Sequence, residues 1–491
     1  MNENKKSWQL LLVTSLGVLL VMLNMSTLNV ALPELATHFQ SGPTETNWIL
    51  LSYMLFNTVL ILVFGKISDL YGRRNLYLVG LVSFTVVSLL CGFAPNIWFL
   101  IILRILQAAS GALIITNTTP MITDAFSKQN LGTALGVNVL VSSVAQLLGP
   151  VIGGYLTYVL DWRWLFWFNV PIGIIGIIWA LFVIQPIKGK VKAEKFDVLG
   201  SLFILFGLSG LIIAFSQAGT TGWKHIVVIT GLVVFLLSFL CFLWVERKAE
   251  SPIVDFSMFQ NWEFSMANLA TFLNSLARSS IVLLIALYFQ VIYQENTFKA
   301  GLFVLPITGG VILASAMIGF LGRRFSVFAL STSGLLCSAV GMVLLVFNSD
   351  ANSSIYFLLI GQLLIGFGSG MFMTPNTQSI MLTVDPKKRG MANGLRSMLQ
   401  NMGMVISTAL SLMLVTFNLP NHLQSKIYAG ANAQVTSSEL TLISKGFQLA
   451  FAVMLSITIL AIISSYLRKG RQKEDIETEV EGKSNVKQKA L

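Results

Sequence analysis

About fourteen apolar stretches of membrane-spanning length follow one another along the chain, and no other feature constrains the fold as much. They run approximately over 8–33, 47–64, 76–95, 97–122, 133–158, 164–184, 198–217, 225–245, 264–288, 300–320, 326–347, 354–376, 391–417 and 445–467. Roughly twenty apolar residues cross a bilayer as a helix. In hydrocarbon every backbone polar group must be bonded inside the segment, which leaves the helix as the solution for such runs. The chain is 55% hydrophobic and 11% charged, with a mean hydropathy of +0.77. Soluble domains carry about 25% charge. The reading is an all-α polytopic membrane protein.

The cations order these spans. Lys5 and Lys6, Lys66 with Arg73 and Arg74, Lys128, the Lys188–Lys195 segment, Arg247 with Lys248, Arg323 with Arg324, and the Lys387–Arg389 run fall in alternate loops. The opposite loops hold few: Arg163, Lys224, Lys299, Lys426 and Lys445. One missed helix would scramble this alternation. By the positive-inside rule both termini are expected in the cytoplasm, in a plasma-membrane protein. The net charge of +11 then serves orientation and anionic lipid, not nucleic acid. Only Asn2 to Ser7 precede the first run and no small-residue cleavage site follows it, so it reads as a retained helix.

Four regions follow. Residues 8–184 form a first block of six spans, and 185–246 hold a basic linker and two extra spans. Residues 247–467 form a second block of six, and 468–491 a charged, aperiodic tail expected to be disordered and cytoplasmic. The two blocks share a weak pattern: Pro120, Gly132 and Gly136 in the first, Pro375, Gly390 and Gly394 in the second. Parallel repeats of this kind occur between transporter halves, although membrane helices favour Gly and Pro in any case.

Between the second and third runs lies Gly65-Lys66-Ile67-Ser68-Asp69-Leu70-Tyr71-Gly72-Arg73-Arg74. The glycines permit a tight turn and close helix approach. Asp69 and the cations are placed to pair with one another and with helix ends, as a breakable latch. The plainer reading is an ordinary positive-inside loop. The segment resembles the loop after the second helix of the major facilitator superfamily of transporters.

Further segments carry the same resemblance. Arg104, Gln107, Ala108 and Gly111 are similar to that superfamily's fourth-helix motif, with Ala108 where Gly is usual. The resemblance implies a coupling role for Arg104. An Arg in a membrane run costs several kcal/mol unless it meets protein or water; the alternative is that it snorkels outward. Gly149, Pro150, Gly153 and Gly154 resemble the antiporter motif that marks exporters, with Ala145 at a position often Gly. A proline there bends a helix and the glycines admit a close neighbour, which a generic packing kink would also need. The string Asp161-Trp162-Arg163-Trp164-Leu165-Phe166-Trp167-Phe168-Asn169-Val170-Pro171-Ile172-Gly173 looks like the sixth-helix entry of the fourteen-span drug:proton antiporter branch, as does Tyr288-Phe289-Gln290 followed by Ala300-Gly301 and Pro306.

One departure matters. Many members of that branch have an Asp, the expected proton carrier, where this chain has Asn24, and Asn does not titrate. No Asp or Glu lies deep in any run, which leaves Glu34 and Asp124, near span ends, as coupling candidates beside Arg104. Asn24, Asn29, Asn117, Asn138, Gln146, Arg278, Gln290 and Arg396 are candidates to line a substrate cavity, within a wider set that includes Asn274, Asn376, Asn393 and Gln400. Buried amides also simply join helices.

Enzyme chemistry finds no support. Gly482-Lys483-Ser484 has Glu477 where a phosphate-binding loop needs its first Gly. No His-x-x-x-His spacing exists, and Cys91, Cys241 and Cys337 lie unpaired in apolar runs, so no metal and no disulfide framework is expected. The expectation is therefore a secondary active multidrug exporter of major facilitator fold. It has two six-helix halves and two inserted helices, and works as a monomer in lipid without a cofactor, on small amphipathic molecules and a proton gradient. A dedicated exporter or facilitator of one metabolite or lipid, or a non-transporting sensor on the same frame, are the alternatives.

Overall fold

The computed structural model describes residues 3–41, 43–184, 197–249, 252–295, 297–350, 354–417, 419–420, 423 and 436–488. The basic linker at 185–196 and the side chain of Asn29 lie outside the described residues. Fourteen helical segments are long and apolar enough to cross a membrane, from Lys5–Leu28 to Glu439–Arg468. No strand occurs among the described residues.

The first half comprises α1 (Glu3–Phe39), α2 (Pro43–Tyr71), α3 (Arg73–Cys91), α4 (Ile97–Ala125), α5 (Lys128–Val159) and a sixth span made of α6 (Trp164–Trp167) and α7 (Asn169–Val183). The inserted pair is α8 (Val198–Thr221) and α9 (Ile226–Glu246). The second half comprises α10 (Trp262–Arg278) with α11 (Ile281–Val291), α12 (Thr297–Leu302) with α13 (Leu305–Leu321), α14 (Val327–Phe347), α15 (Ile355–Thr383), α16 (Arg389–Thr416) and α17 (Ser437–Gln488). The last helix thus runs on from its apolar span into the charged tail, where the sequence reading has an aperiodic segment. The tail is rich in Glu, Lys and Gln, which are good helix formers even without an apolar face.

Local chemistry sets the ends of these helices. Asn96 caps α4 by accepting from the Phe99 amide at 2.9 Å, and Asp197 caps α8 by accepting from Gly200 at 2.8 Å. Gly72 turns α2 into α3 with φ +94°, a conformation that disfavours any side chain with a Cβ.

Packing repeats between the halves. In the first, α1 packs on α4, α5 and α7, α2 on α4, and α3 on α4 and α7. In the second, α10 packs on α15, α16 and α17, α13 on α15, and α14 on α15 and α17. These are the same pairs six spans apart once α8 and α9 are set aside. The halves meet along α2 with α16 and α5 with α13, two seams that the same repeat exchanges. The inserted pair leans on one seam: Ile204, Leu208 and Phe242 share a core with Leu62, Met391 and Leu395. Outward rows such as Val79, Val82, Val86 and Leu90 on α3, or Val233, Leu237, Leu240 and Trp244 on α9, remain exposed. Apolar rows of this length suit lipid, not water.

Candidate functional site

The α2–α16 seam is built for contact between backbones. A Cβ at Gly65 would lie 2.7 Å from the Gly390 carbonyl oxygen, and one at Gly394 would lie 2.9 Å from that of Ile61. Larger residues would force the helices apart. This approach brings Asp69 to the first turn of α16, where it accepts from the Gly390 amide at 3.0 Å and the Met391 amide at 2.8 Å. A helix N-terminus favours an anion there.

Arg73 extends the contact. Its Nη2 donates to Asp69 Oδ1 at 2.9 Å and to the Pro386 carbonyl at 2.6 Å. Its Nη1 pairs with Asp124, whose other oxygen accepts from Arg389 Nη1 at 2.5 Å. Two acids and two arginines, three from the first half and one from the second, so form a neutral network across the seam on the side that bears the termini. Arg74 stands apart and donates to the Ile184 carbonyl at 2.5 Å. Beside the network, Lys388 pairs with Asp255 at 2.5 Å. Partial burial pushes the Asp255 carboxyl up, but bonds from Lys388 and Ser257 and the Lys388 charge outweigh it and hold the group below the usual carboxylate range.

Deeper in the first half, Arg104 is fully buried. Nη1 donates to Asn24 Oδ1 and to Gln107 Oε1, both at 2.5 Å, and Nε to the Ile49 carbonyl at 3.3 Å. The guanidinium lies over the Tyr53 ring, 4.2 Å from its centroid. Gln107 in turn donates to Ser88 at 2.8 Å. Arg104 does not snorkel; neutral acceptors and an aromatic face surround it.

The matching region of the second half keeps a small cavity, with room in this state for about one water molecule. Arg278 and Arg396 line one cavity with Thr271, Asn274, Phe372, Met373, Asn376 and Gln400. Arg396 donates to Asn393, Gln400 and Ser397 at 3.0–3.2 Å. Arg278 has a buried Nε with no hydrogen-bond partner.

A family model described as Major Facilitator Superfamily matches residues 14–218 and 267–490. The chain belongs to the major facilitator superfamily. It is a secondary transporter, not an enzyme. Multidrug resistance protein Stp of Mycobacterium tuberculosis (strain CDC 1551 / Oshkosh) is 28% identical, over 83% of this chain and 75% of its own. Multidrug resistance protein 3 of Bacillus subtilis (strain 168) is 30% identical, over 74% and 71%. Riboflavin transporter RibZ of Clostridioides difficile (strain 630) is 29% identical, over 82% and 87%. Among solved structures, the human organic anion transporter MFSD10 (TETRAN) overlays with a TM-score of 0.64 at 16% identity, covering 94% of this chain and 99% of that one. The proton:xylose symporter XylE gives 0.61 at 14%, covering 92% and 96%. These two speak for the fold.

The other candidate positions of this superfamily member scatter. On α5, Gly149 abuts Ser26 and Gly153 abuts Thr27 of α1; a Cβ at Gly153 would lie 2.9 Å from Thr27 Cα. Pro150 is inside that helix and Gly154 is half-buried beside it. Asn117 donates to Leu113 on its own helix at 2.7 Å. Asn138 donates to Ser15 at 3.4 Å. Gln146 is exposed near Met22, Gln290 is half-buried away from the cavity, and Glu34 is exposed. The major-facilitator network uses groups that the sequence reading did not assign to it: Asp124, Arg389, the Pro386 carbonyl and the Gly390 and Met391 amides. Arg389 had a signal, since it sits beside Gly390 in a cation-rich loop. Tyr53 under Arg104 had none.

Proposed function

We propose that the protein exports small amphipathic compounds from the cytoplasm, by alternating access of its two halves to the two membrane faces, as a monomer in the plasma membrane. The observation that carries this reading is the charged network across the α2–α16 seam. It closes the terminus-bearing side with contacts strong enough to define a state and few enough to break. Asp69 and Arg73 are largely buried, with side chains 7% and 10% exposed, so removing one partner costs more than the ~0–1 kcal/mol of a surface pair, and an equilibrium of a few kcal/mol between two states shifts under such terms. The alternation of cations supports a cytoplasmic assignment for that side. The names of the relatives from Mycobacterium tuberculosis and Bacillus subtilis support drugs as cargo.

Proton coupling belongs to this reading, with a change of place. Among the described residues no acid lies beside Arg104, whose acceptors are the amides of Asn24 and Gln107. Asp124 joins two arginines of opposite halves, so a proton on it would cancel the charge that ties them. Glu34, exposed at the far end of α1, is the weaker carrier. The absence of a mid-membrane acid also supports a second reading, a dedicated exporter of one metabolite running on its substrate gradient. Inverted vesicles given several dyes in the outer medium, with and without an imposed pH gradient, separate the two. The first reading expects uphill movement that stops in Asp124→Asn and survives in Glu34→Gln. A wild-type protein indifferent to the gradient would leave the second.

A further inference from the structure

The cavity of the second half holds two guanidinium groups and no acid. Arg278, at the end of α10, has five N–H donors and meets no hydrogen-bond acceptor or carboxylate among the described residues, with its Nε buried. Arg396 spends four N–H groups on Asn393, Gln400 and Ser397, all neutral. No Asp or Glu is among the lining residues. Glu263, at the start of α10, is fifteen residues from Arg278, or about 22 Å along the helix at ~1.5 Å per residue, too far to serve as a counter-ion.

An unpaired cation inside a membrane protein is costly, and such groups usually pair or line a path for a charged species. Arg104 illustrates a partial solution: neutral acceptors bond Nη1 and Nε, while its buried Nη2 has none. Arg278 lacks even these, although the amides of Asn274 and Gln400 line the same cavity. The planar fork of a guanidinium matches a carboxylate, sulfonate or phosphate through two parallel hydrogen bonds. Half-buried Met373 gives the cavity an adaptable apolar wall next to the cations, backed by Phe372, whose ring is packed in a core with Ala270, Leu335 and Ala461.

We infer that this cavity is a binding site for the anionic head of an amphipathic substrate, held by Arg278 and Arg396 with its apolar body against Met373. The inference rests on the export reading for what happens to the ligand, but the site can be tested apart from it. A lipophilic cation, by the same geometry, meets two like charges and is rejected.

Carboxyfluorescein and rhodamine 123 share a xanthene frame and differ in the sign of their charge. Their binding to purified full-length protein in detergent is to be followed by fluorescence anisotropy. The expected result is binding of carboxyfluorescein at least tenfold tighter than that of rhodamine 123. Arg278→Gln and Arg396→Gln should each weaken carboxyfluorescein tenfold or more. Arg278→Lys should keep the preference at reduced affinity, since the charge stays while the fork is lost, and it guards against a misfolded Gln variant. Equal or reversed preference in the wild type overturns the inference, as does a preference that both Gln variants retain. Inverted vesicles then separate the two readings: carboxyfluorescein that binds with this pattern but is not moved upholds the anion site and overturns export.

Discussion

The closed end and the middle of this transporter treat charge in opposite ways. At the seam between α2 and α16 each charge meets its opposite: Asp69 with Arg73, and Asp124 with both Arg73 and Arg389. In the middle, Arg104, Arg278 and Arg396 meet no carboxylate among the described residues. The first arrangement bonds one half to the other by charge, beside the close glycine contact of the same seam. The second cannot hold anything by charge alone; each arginine is either enclosed by neutral acceptors or left open to a guest. The acids of the network therefore lie at one end of the seam, and the arginines without a carboxylate lie in the middle.

The largest effect is expected where a central arginine is enclosed. Arg104→Leu leaves the side-chain carbonyls of Asn24 and Gln107 without their donor, at about 1–3 kcal/mol for each buried unsatisfied group. Relief from burying the charge offsets part of this, so the net loss is on the order of 2–4 kcal/mol, read as a large fall in the melting midpoint of the detergent-purified protein. Arg278→Leu deprives no acceptor and should melt close to wild type. Equal destabilisation by the two changes would erase the distinction between enclosed and open arginines.

Next comes the steric side of the closed end. Gly65→Leu adds a side chain where even a Cβ would sit 2.7 Å from the Gly390 carbonyl. It removes no charge, yet it should keep α2 and α16 apart and lower turnover more than tenfold, with binding of substrate much less affected. Asn393 donates across the halves to Ile115 at 3.3 Å and Thr116 at 3.0 Å. A cysteine placed there, with Cys91, Cys241 and Cys337 replaced by serine, should become reactive to a water-soluble thiol reagent when Gly65→Leu is added. An unreactive cysteine would mean that the seam closes despite the bulk.

Neutralising the same contact should do less. Asp69→Asn keeps one oxygen for the α16 amides but loses the largely buried ion pair with Arg73; Arg73 keeps Asp124 as its partner, so the cost stays below that of leaving a buried charge unpaired. Turnover should fall a few-fold and affinity hardly at all. Wild-type rates in well-expressed protein would assign closure to the glycine contact alone.

Much of this was legible in the chain. Span number, the extra pair and the latch loop follow from apolar run length, from the alternation of cations and from the composition of 65–74, all of which are local. The partner of the latch was not, because the seam joins residue 69 to residues 390 and 391, and nothing local pairs two loops more than three hundred residues apart. Arg104 could be seen as a costly residue, but its acceptors come from α1, α2 and its own helix, and Tyr53 has no periodicity that marks it. Asn24 was visible as a departure, and its role as a neutral acceptor needed the geometry. Gln290 and Gln146 failed to join the cavity because polarity inside a span does not reveal which face of the helix meets the other half. The helical extension of α17 was missed because charge without an apolar stripe reads as disorder, while helix propensity alone suffices to continue an established helix.

The smallest effect belongs to a charge pair outside the spans, and it gauges the others. Lys388 and Asp255 pair at 2.5 Å next to the latch, with the Asp255 carboxyl held below its usual range. A carboxyl depressed in the folded state stabilises above its unfolded value, near pH 4, and that contribution disappears as pH falls through the folded value. Both side chains reach solvent, so Asp255→Asn should cost no more than a few tenths of a kcal/mol at pH 7. The variant and wild type should converge in melting midpoint once the pH lies below the folded value of the carboxyl, where both lack the charge. Transport at pH 7 should be unchanged, since the pair joins two elements of the second half and crosses no seam. If Asp255→Asn slowed turnover as much as Asp69→Asn, charge anywhere near α16 would suffice, and the bond across the halves would lose its special place in closure.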